Sequence, residues 1–325
     1  MSQTSPRNTS SASPSLKSGE QRAISQPQRV SRGLRVWRWL HWFSFDIALG
    51  AGVSAMWIGR AWGSDPSPWA IIALSCGALW VYSVDHWADA GKVRTLATHQ
   101  ISDRRAFYVR MRLWLVLIAA FSVIIGGWAS FRLPWFTLTL GVMCLMTCMV
   151  YLWMVQHGSD HARVRYPKEM LITTLYTLAL SLWPISQLFD PPATFTPIAG
   201  GLSSLFIFCL AWSNLCLISV HERRFDAAEG SASLALRLGE FTTRNVGRGT
   251  LRLATVLWGA RFIPMVLFGQ YQSIEVADAL ASALMLITLW RLYRQPEWSA
   301  HHSRYRLWAD LIFIYPALGL IIETI

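Results

Sequence analysis

Two pairs of acidic residues have the spacing of metal ligands. Asp85 and Asp89 stand four residues apart, and so do Glu222 and Asp226. On a helix, side chains four residues apart lie on one face, so both carboxylates of a pair can reach the same cation. A hard divalent ion such as Mg²⁺ takes oxygen ligands and commonly combines one or two carboxylates with phosphate groups of a substrate. These residue types predict a site for Mg²⁺ and a diphosphate.

The simpler interpretation of each pair is that its carboxylates balance neighbouring arginines, such as Arg223 and Arg224 inside the second pair. The recurrence of the same spacing favours a shared site. Each pair follows directly after an apolar stretch, and such stretches are also the elements that can bring the pairs together. Two pairs at the same end of a helical bundle could face each other across a gap that suits a diphosphate bridged by metal.

The composition places these residues in a membrane protein. Of the 325 residues, 53% are hydrophobic and only 14% are charged, against roughly 25% charged in soluble domains. The 29 lysines and arginines outnumber the 18 acidic residues, which gives a net charge of +11. A nucleic-acid-binding protein would also be basic, but it would not carry repeated apolar segments of spanning length. We therefore exclude a soluble fold and a nucleic-acid partner, and we expect membrane lipids around the chain.

Apolar stretches follow a polar N-terminal tail, and most of them have the roughly 17–25 residues that a transmembrane helix needs. They predict an all-α bundle of about nine transmembrane helices. Residues 1–36, rich in Ser, Pro, Gln and Arg, are expected to be a disordered basic cytoplasmic tail, and residues 37–325 to be the transmembrane domain. The predicted spans are 39–58, 69–84, 113–131, 135–155, 170–189, 198–220, 251–269, 274–290 and 307–322.

The distribution of basic residues predicts how these helices are oriented. With the N-terminus in the cytoplasm, all of the 29 basic residues except Arg60, Arg132 and Arg261 fall on the cytoplasmic side. Cytoplasmic loops of membrane proteins carry such an excess of Lys and Arg. We therefore expect a cytoplasmic N-terminus and an external C-terminus in the plasma (inner) membrane of a bacterium. In this orientation both acidic pairs lie at the cytoplasmic boundary.

Asp46 lies inside the first predicted span. An ionised side chain is costly there unless it is paired or lines a polar cavity, so such a residue is by default a functional candidate. The alternative that we favour is a hydrogen bond between Asp46 and a neighbouring helix.

The residues around both acidic pairs resemble the Asp-rich motifs of the UbiA-type prenyltransferases. Residues 222–230 and the Leu-Ala-Leu-Arg-Leu-Gly run at 234–239 are similar to the second motif, which continues in a Gly and then a Thr-Leu-x-x-Arg-Leu-Gly run. Residues 85–89, Arg-Thr-Leu at 94–96 and Ile-Ser at 101–102 are similar to the first motif and its loop. Tyr-Pro-Lys at 166–168 resembles the family's Tyr/Lys element. The resemblance covers residues 37–325.

The sequence departs from the family's motifs at the acidic positions. Val81 and Tyr82 stand where the family has Asn-Asp ahead of the first pair. Ser219 stands at a family Asp position, and Glu222 replaces another Asp. Two alternatives to an active transferase therefore stay open: a catalytically silent relative that binds a lipid or a partner, and an unrelated multi-span transporter.

The resemblance implies Mg²⁺-dependent transfer of a prenyl group from a polyprenyl diphosphate to an aromatic or otherwise lipid-soluble acceptor within the membrane. The diphosphate would be held at the cytoplasmic face. Carried over by position, the catalytic and metal-binding residues would be the four acidic ones, Asp85, Asp89, Glu222 and Asp226. Arg94 and Lys168 would bind the diphosphate and neutralise the charge that develops on it.

Overall fold

Helices are the only regular elements in the part of the chain that the structure describes. The structure is a computed structural model, and it describes residues 32–92, 103–157, 168–188, 192, 194–228, 233–267, 273–300 and 303–319. Residues 1–31 of the predicted tail lie outside the described residues, and the first helix begins at Arg32. The all-α membrane bundle predicted from the sequence is confirmed for these residues.

Thirteen α-helices make up most of the part of the chain that the structure describes. In chain order they are α1 (Arg32–Trp42), α2 (Phe45–Ala61), α3 (Pro68–Lys92), α4 (Asp103–Arg110), α5 (Arg112–Ser130), α6 (Trp135–His157), α7 (Lys168–Ser186), α8 (Pro197–Ala228), α9 (Leu234–Leu238), α10 (Glu240–Leu267), α11 (Ser273–Arg294), α12 (Pro296–Ala300) and α13 (Arg304–Leu311). The 3₁₀ turn Ile312–Ile314 continues α13. The chain divides into two units, Met1–Arg38 and Trp39–Ile325, and every side chain discussed below belongs to the second.

Several helices are long and apolar enough to cross a membrane. Among the described residues these are Pro68–Gly91, Arg112–Ser130, Trp135–Met154, Pro197–Ala228 and Glu275–Arg294, and the bent pair of α1 and α2 would add a sixth span. Their outward side chains are apolar, and Ile124 on α5 is 70% exposed, which is typical of a surface that faces lipid rather than water. The chain is an integral membrane protein. The count of nine spans stays a prediction.

Proline and glycine mark several helix boundaries. Pro68, Pro197 and Pro296 are the first residues of α3, α8 and α12, positions at which the missing N–H costs no hydrogen bond. Gly239 separates α9 from α10 with a φ of 82°, a conformation that a residue with a Cβ adopts only with strain.

The long helix α8 packs against α2, α7, α9 and α10, so it is the element around which the bundle is built.

The first predicted span is broken by a bend of 72° between α1 and α2. Ser44 at the break adopts the left-handed conformation, with φ 62° and ψ 24°, which is uncommon for a residue other than Gly. The Ser44 hydroxyl lies 3.0 Å from Nε2 of the buried His86 on α3. This hydrogen bond fixes the break against the helix that carries the first acidic pair.

The contact between α8 and α10 depends on a glycine. A Cβ on Gly247 would overlap the hydroxyl of Tyr293 and would lie 2.9 Å from Cβ of Cys216. Tyr293 is 1% exposed, and its hydroxyl donates a 2.7 Å hydrogen bond to the carbonyl of Ser213 on α8. The crowded atoms are therefore held in place and have little room to move.

We expect Gly247→Ala to lower the free energy of unfolding by about 1–3 kcal/mol, because the added methyl group overpacks a rigid contact. Gly249→Ala on the same helix is the matched control, because a Cβ there meets no atom within 4 Å. It should raise the stability by about 0.5–1 kcal/mol through helix propensity. Thermal unfolding of the purified proteins in detergent measures both changes, and equal melting temperatures would contradict the close contact.

Candidate active site

A cavity of about 780 Å³ opens into the bundle and is lined by residues from α2 through α8 and from α13. Most of its wall is apolar. On α3 the wall includes small residues such as Gly77 and Ala78 beside larger ones such as Leu74, and on α6 it includes Leu138 and Leu145. Its charged side chains come from α3, α4, α7, α8 and α13. The cavity therefore combines charged groups with a long apolar wall.

Both acidic pairs line this cavity. Asp85 and Asp89 lie in the last turns of α3, and Glu222 and Asp226 lie in the last turns of α8. Because each pair is spaced by four residues on a helix, both of its carboxylates can point to the same side. The structure thus brings together the four carboxylates that the sequence singled out.

The carboxylates differ in their contact with solvent. The Asp85 side chain is 40% exposed, whereas the Glu222 side chain is 14% exposed and that of Asp226 only 6%. An ionised carboxylate as buried as Asp226 needs a partner of opposite charge. The charged end of the cavity therefore runs from a solvent-accessible first pair to a buried second pair.

The structure describes only one of the two residues that were predicted to bind the diphosphate. Lys168 is the first residue of α7 and lines the cavity with the four carboxylates. Arg94 lies outside the described residues. The structure thus places one of the two cations at the site and leaves the other a prediction.

Three arginines that we did not predict as site residues also line the cavity, namely Arg104, Arg105 and Arg306. Arg306 on α13 donates two hydrogen bonds to Glu222, from Nε at 2.9 Å and from Nη2 at 2.7 Å. This bidentate geometry is the strongest that an arginine and a carboxylate form. Arg104 lies 3.7 Å from the same carboxylate, so Glu222 is held between two cations.

Arg105 partners the second acidic residue of α8. Its Nη2 lies 3.7 Å from Oδ1 of Asp226, and both side chains are almost fully buried. In the sequence, Arg104 and Arg105 follow the Ile-Ser element at 101–102 and open a short helix, α4. In the sequence they count only among the basic residues that predict the membrane orientation, and the signal for a place at the cavity is their position directly after the Ile-Ser element.

Aromatic rings position α4 at the cavity. The ring of Tyr108 stacks on that of His86 with centroids 4.2 Å apart, and the Arg104 guanidinium lies 5.5 Å from the centroid of the Tyr108 ring. Burial raises the pKa of Tyr108 to about 12, so the phenol stays neutral. Burial alone would lower the pKa of Arg104, but Tyr108 and Glu222 raise it above its ordinary value. Arg104 is therefore a permanent cation.

Ser219, which stands at a family Asp position, has a different task in this chain. Its hydroxyl oxygen accepts a 2.9 Å hydrogen bond from the backbone N–H of Ala235, at the start of α9. Beside it, Oε1 of Glu169 accepts the N–H of Leu234 at 2.7 Å. These bonds satisfy backbone N–H groups that the first turn of a helix leaves unpaired. The segment that follows the second acidic pair is thus anchored to α7 and α8.

The fold is similar to those of three solved structures. For the apo structure of a UbiA homolog from Aeropyrum pernix K1, the TM-score is 0.60 at 12% sequence identity, over 86% of this chain and 98% of that one. For a UbiA homolog from Archaeoglobus fulgidus bound to DMAPP and Mg²⁺, the TM-score is 0.54 at 14% identity, over 91% of this chain and all of that one. For a digeranylgeranylglyceryl phosphate synthase, the TM-score is 0.50 at 12% identity, over 91% of this chain and 100% of that one.

No model of a known protein family and no curated protein matches the sequence. The structural similarity nevertheless extends over most of the chain and over nearly the whole length of each solved structure. It agrees with the resemblance of the two acidic motifs. The chain therefore has the fold of the UbiA-type membrane proteins.

Proposed function

We propose that the chain transfers a prenyl group from a polyprenyl diphosphate to an aromatic or other lipid-soluble acceptor, with the diphosphate held at the cytoplasmic face. The observation that carries this proposal is the cavity, which combines carboxylates and arginines with a long apolar wall. A substrate with an ionic head and a hydrocarbon tail matches both parts. A solved structure of similar fold is bound to DMAPP and Mg²⁺, which supports the same assignment.

The donor set of the cavity fits Mg²⁺ in chemical type, because Mg²⁺ prefers carboxylate oxygens and substrate phosphates. Asp85, Asp89, Glu222 and Asp226 all line the cavity, and we propose that they hold the ion. Glu222 would share its oxygens between the metal and Arg306. When bound, Mg²⁺ would supply the positive charge that assists the departure of diphosphate.

The arginines and Lys168 would neutralise the charge that grows on the diphosphate as its bond to the prenyl carbon breaks. Arg104, Arg105 and Lys168 line the same cavity, and we propose that Arg94 joins them. The acceptor would then form a bond to the allylic carbon and lose a proton. The apolar wall would keep water away from the cationic carbon.

Removing one carboxylate from either acidic pair should strongly lower the rate of the reaction. In membranes supplied with labelled prenyl diphosphates, a panel of acceptors and Mg²⁺, we expect Asp85→Ala and Asp226→Ala to lower turnover by about 100-fold or more. Wild-type turnover should be lost when Mg²⁺ is withheld. Asp65→Ala, which changes an exposed carboxylate outside the cavity, is the matched control and should leave the rate unchanged.

Equal diphosphate release by the wild type and both cavity variants would contradict the enzymatic proposal. The second candidate is a silent relative that binds a prenyl lipid without turnover. It is favoured by the pairing of Glu222 with Arg306 and of Asp226 with Arg105, because carboxylates occupied by arginines bind a cation less well. Saturable binding of a labelled prenyl diphosphate by wild type, with no product under any condition, would support this candidate.

A further inference from the structure

A second cluster of potential metal ligands lies at the bend between α1 and α2. We call it the bend cluster, and it consists of His41, Asp46 and Asp310. Nδ1 of His41 lies 2.6 Å from Oδ2 of Asp46 and 4.0 Å from Oδ2 of Asp310. One ligand atom from each residue falls within 4.8 Å of the others. None of the three belongs to the four-carboxylate set described above.

The bend itself creates this proximity. On a continuous helix, residues five apart lie on different faces and do not meet. The left-handed Ser44 turns the chain between His41 and Asp46, so that the imidazole of one meets the carboxylate of the other. Asp310 arrives from α13, at the opposite end of the sequence. An uncommon backbone conformation thus assembles a polar cluster inside an apolar bundle.

The cluster holds more buried acceptor atoms than donors. Asp46 is 3% exposed and Asn214 is 4% exposed, and Oδ1 of each has no hydrogen-bond partner among the described residues. The Asn214 amide lies at the cluster, because its Nδ2 donates to Oδ1 of Asp310 at 3.4 Å and to the carbonyl of Ala309 at 3.2 Å. Buried acceptors of this kind are normally satisfied. The unpaired carboxylate oxygen of Asp46, buried within the cluster, therefore points to a cation.

Charge supports the same conclusion. Asp46 and Asp310 each form an ion pair with His41, and within the described part of the chain neither forms one with a Lys or an Arg. Two carboxylates therefore share a single ion-pairing imidazole in a buried environment, while the charge of Arg104 acts on His41 and Asp310 from beyond ion-pair distance. A divalent cation would balance both carboxylates and satisfy the unpaired oxygen of Asp46.

We propose that His41, Asp46 and Asp310 bind a divalent transition-metal ion of the Zn²⁺ type. An imidazole nitrogen combined with carboxylate oxygens is a ligand set that suits Zn²⁺ and neighbouring ions better than Mg²⁺. Binding replaces the proton on Nδ1 of His41, which leaves to solvent. Ligand bonds of about 2.0–2.2 Å place neighbouring ligand atoms roughly 3.4 Å apart, so only small side-chain movements are needed.

This site would tie the bend to α13 and, through the hydrogen bond from Asn214 to Asp310, to α8, and Asp310 would bring it to the wall of the cavity. The proposal is independent of prenyl transfer, because it rests on contacts outside the four-carboxylate set. A chain with no transferase activity could still bind the ion, and an active one could lack it. Its test therefore uses the metal alone.

The test uses untagged full-length protein in detergent, stripped with a chelator and titrated with Zn²⁺ by calorimetry. We expect about one equivalent of tightly bound Zn²⁺ in the wild type, and an affinity at least about 10-fold weaker in His41→Gln and Asp46→Asn. Asp89→Asn, which alters the four-carboxylate set, is the matched control and should retain the wild-type affinity. Circular dichroism and gel filtration identify any variant that fails to fold.

Co²⁺ provides a readout that does not depend on the variants. Bound by one nitrogen and several oxygens, Co²⁺ in the wild-type protein should give visible absorption bands that free Co²⁺ lacks, and Zn²⁺ should displace them. No such bands in the wild type, no stoichiometric Zn²⁺, or full affinity in a folded His41→Gln protein would each overturn the proposal.

Discussion

Arg306→Met is expected to lower kcat/KM for prenyl transfer by about 100-fold or more, the loss typical of removing a group that stabilises developing charge. It should also destabilise the bundle. Arg306 donates two hydrogen bonds to Glu222, whose side chain is only 14% exposed. Because Tyr305 and Arg104 remain near Glu222, we expect a loss of about 2–3 kcal/mol rather than the larger cost of an isolated buried charge.

A double variant separates these two effects. Replacing both partners of a buried ion pair with apolar side chains of similar volume is often neutral for stability. Glu222→Met combined with Arg306→Met should therefore recover most of the lost melting temperature, while activity stays absent. Arg294→Met, which removes an exposed arginine outside the cavity, is the control and should match the wild type in both measurements. Recovery of activity in the double variant would show that the pair has only a structural role.

Gly77→Trp should change the prenyl chain length that the protein accepts. Gly77 lines the cavity on α3, and a Cβ added there meets no atom within 4 Å. It lies eight residues before Asp85, which corresponds to about 12 Å along the helix. An indole at that depth would obstruct the tail of a long substrate and leave the charged groups untouched. We expect kcat/KM for long-chain diphosphates to fall by about 10–200-fold.

The measurement is kcat/KM for a series of prenyl diphosphates of increasing length. A five-carbon substrate should react with Gly77→Trp at nearly the wild-type rate. Gly127→Trp on α5 is the matched control, because that glycine also has open space around it but does not line the cavity. A loss that is equal at every chain length would mean that Gly77→Trp disturbs the fold and that the apolar wall does not hold the tail.

The four carboxylates of the candidate site could be predicted from the sequence, because the spacing within each pair is a local feature of one helix. The spacing of Asp85 and Asp89, and of Glu222 and Asp226, puts each pair on one helix face, and the apolar stretches before them identify the helices. The class of fold followed from the same stretches. Both predictions needed only the period of a helix and the length of an apolar segment.

Of the basic residues that line the cavity, Lys168 was predicted through the family resemblance, and the arginines could not be predicted from local spacing. Arg306 meets Glu222 across 84 residues of sequence, and that contact depends on how α13 packs rather than on any local pattern. The bend cluster was missed for another reason. We expected Asp46 to bond to a neighbouring helix, and its partner, His41, lies five residues away across a break. The residues at the break are Phe43 and Ser44, and neither is a Gly or a Pro that would indicate a helix break in the sequence.

Part of the cavity wall keeps much of its surface exposed. Val142, Val150 and Met154 on α6 line the cavity and are 49%, 54% and 45% exposed. Because α6 is also long and apolar enough to cross a membrane, we expect this part of the wall to be reached from hydrocarbon rather than from water. For a substrate that enters there, the bilayer is the solvent. The effective concentration of such a substrate is its mole fraction in the lipid. Adding empty membrane therefore lowers the occupancy of the site, whereas adding buffer does not.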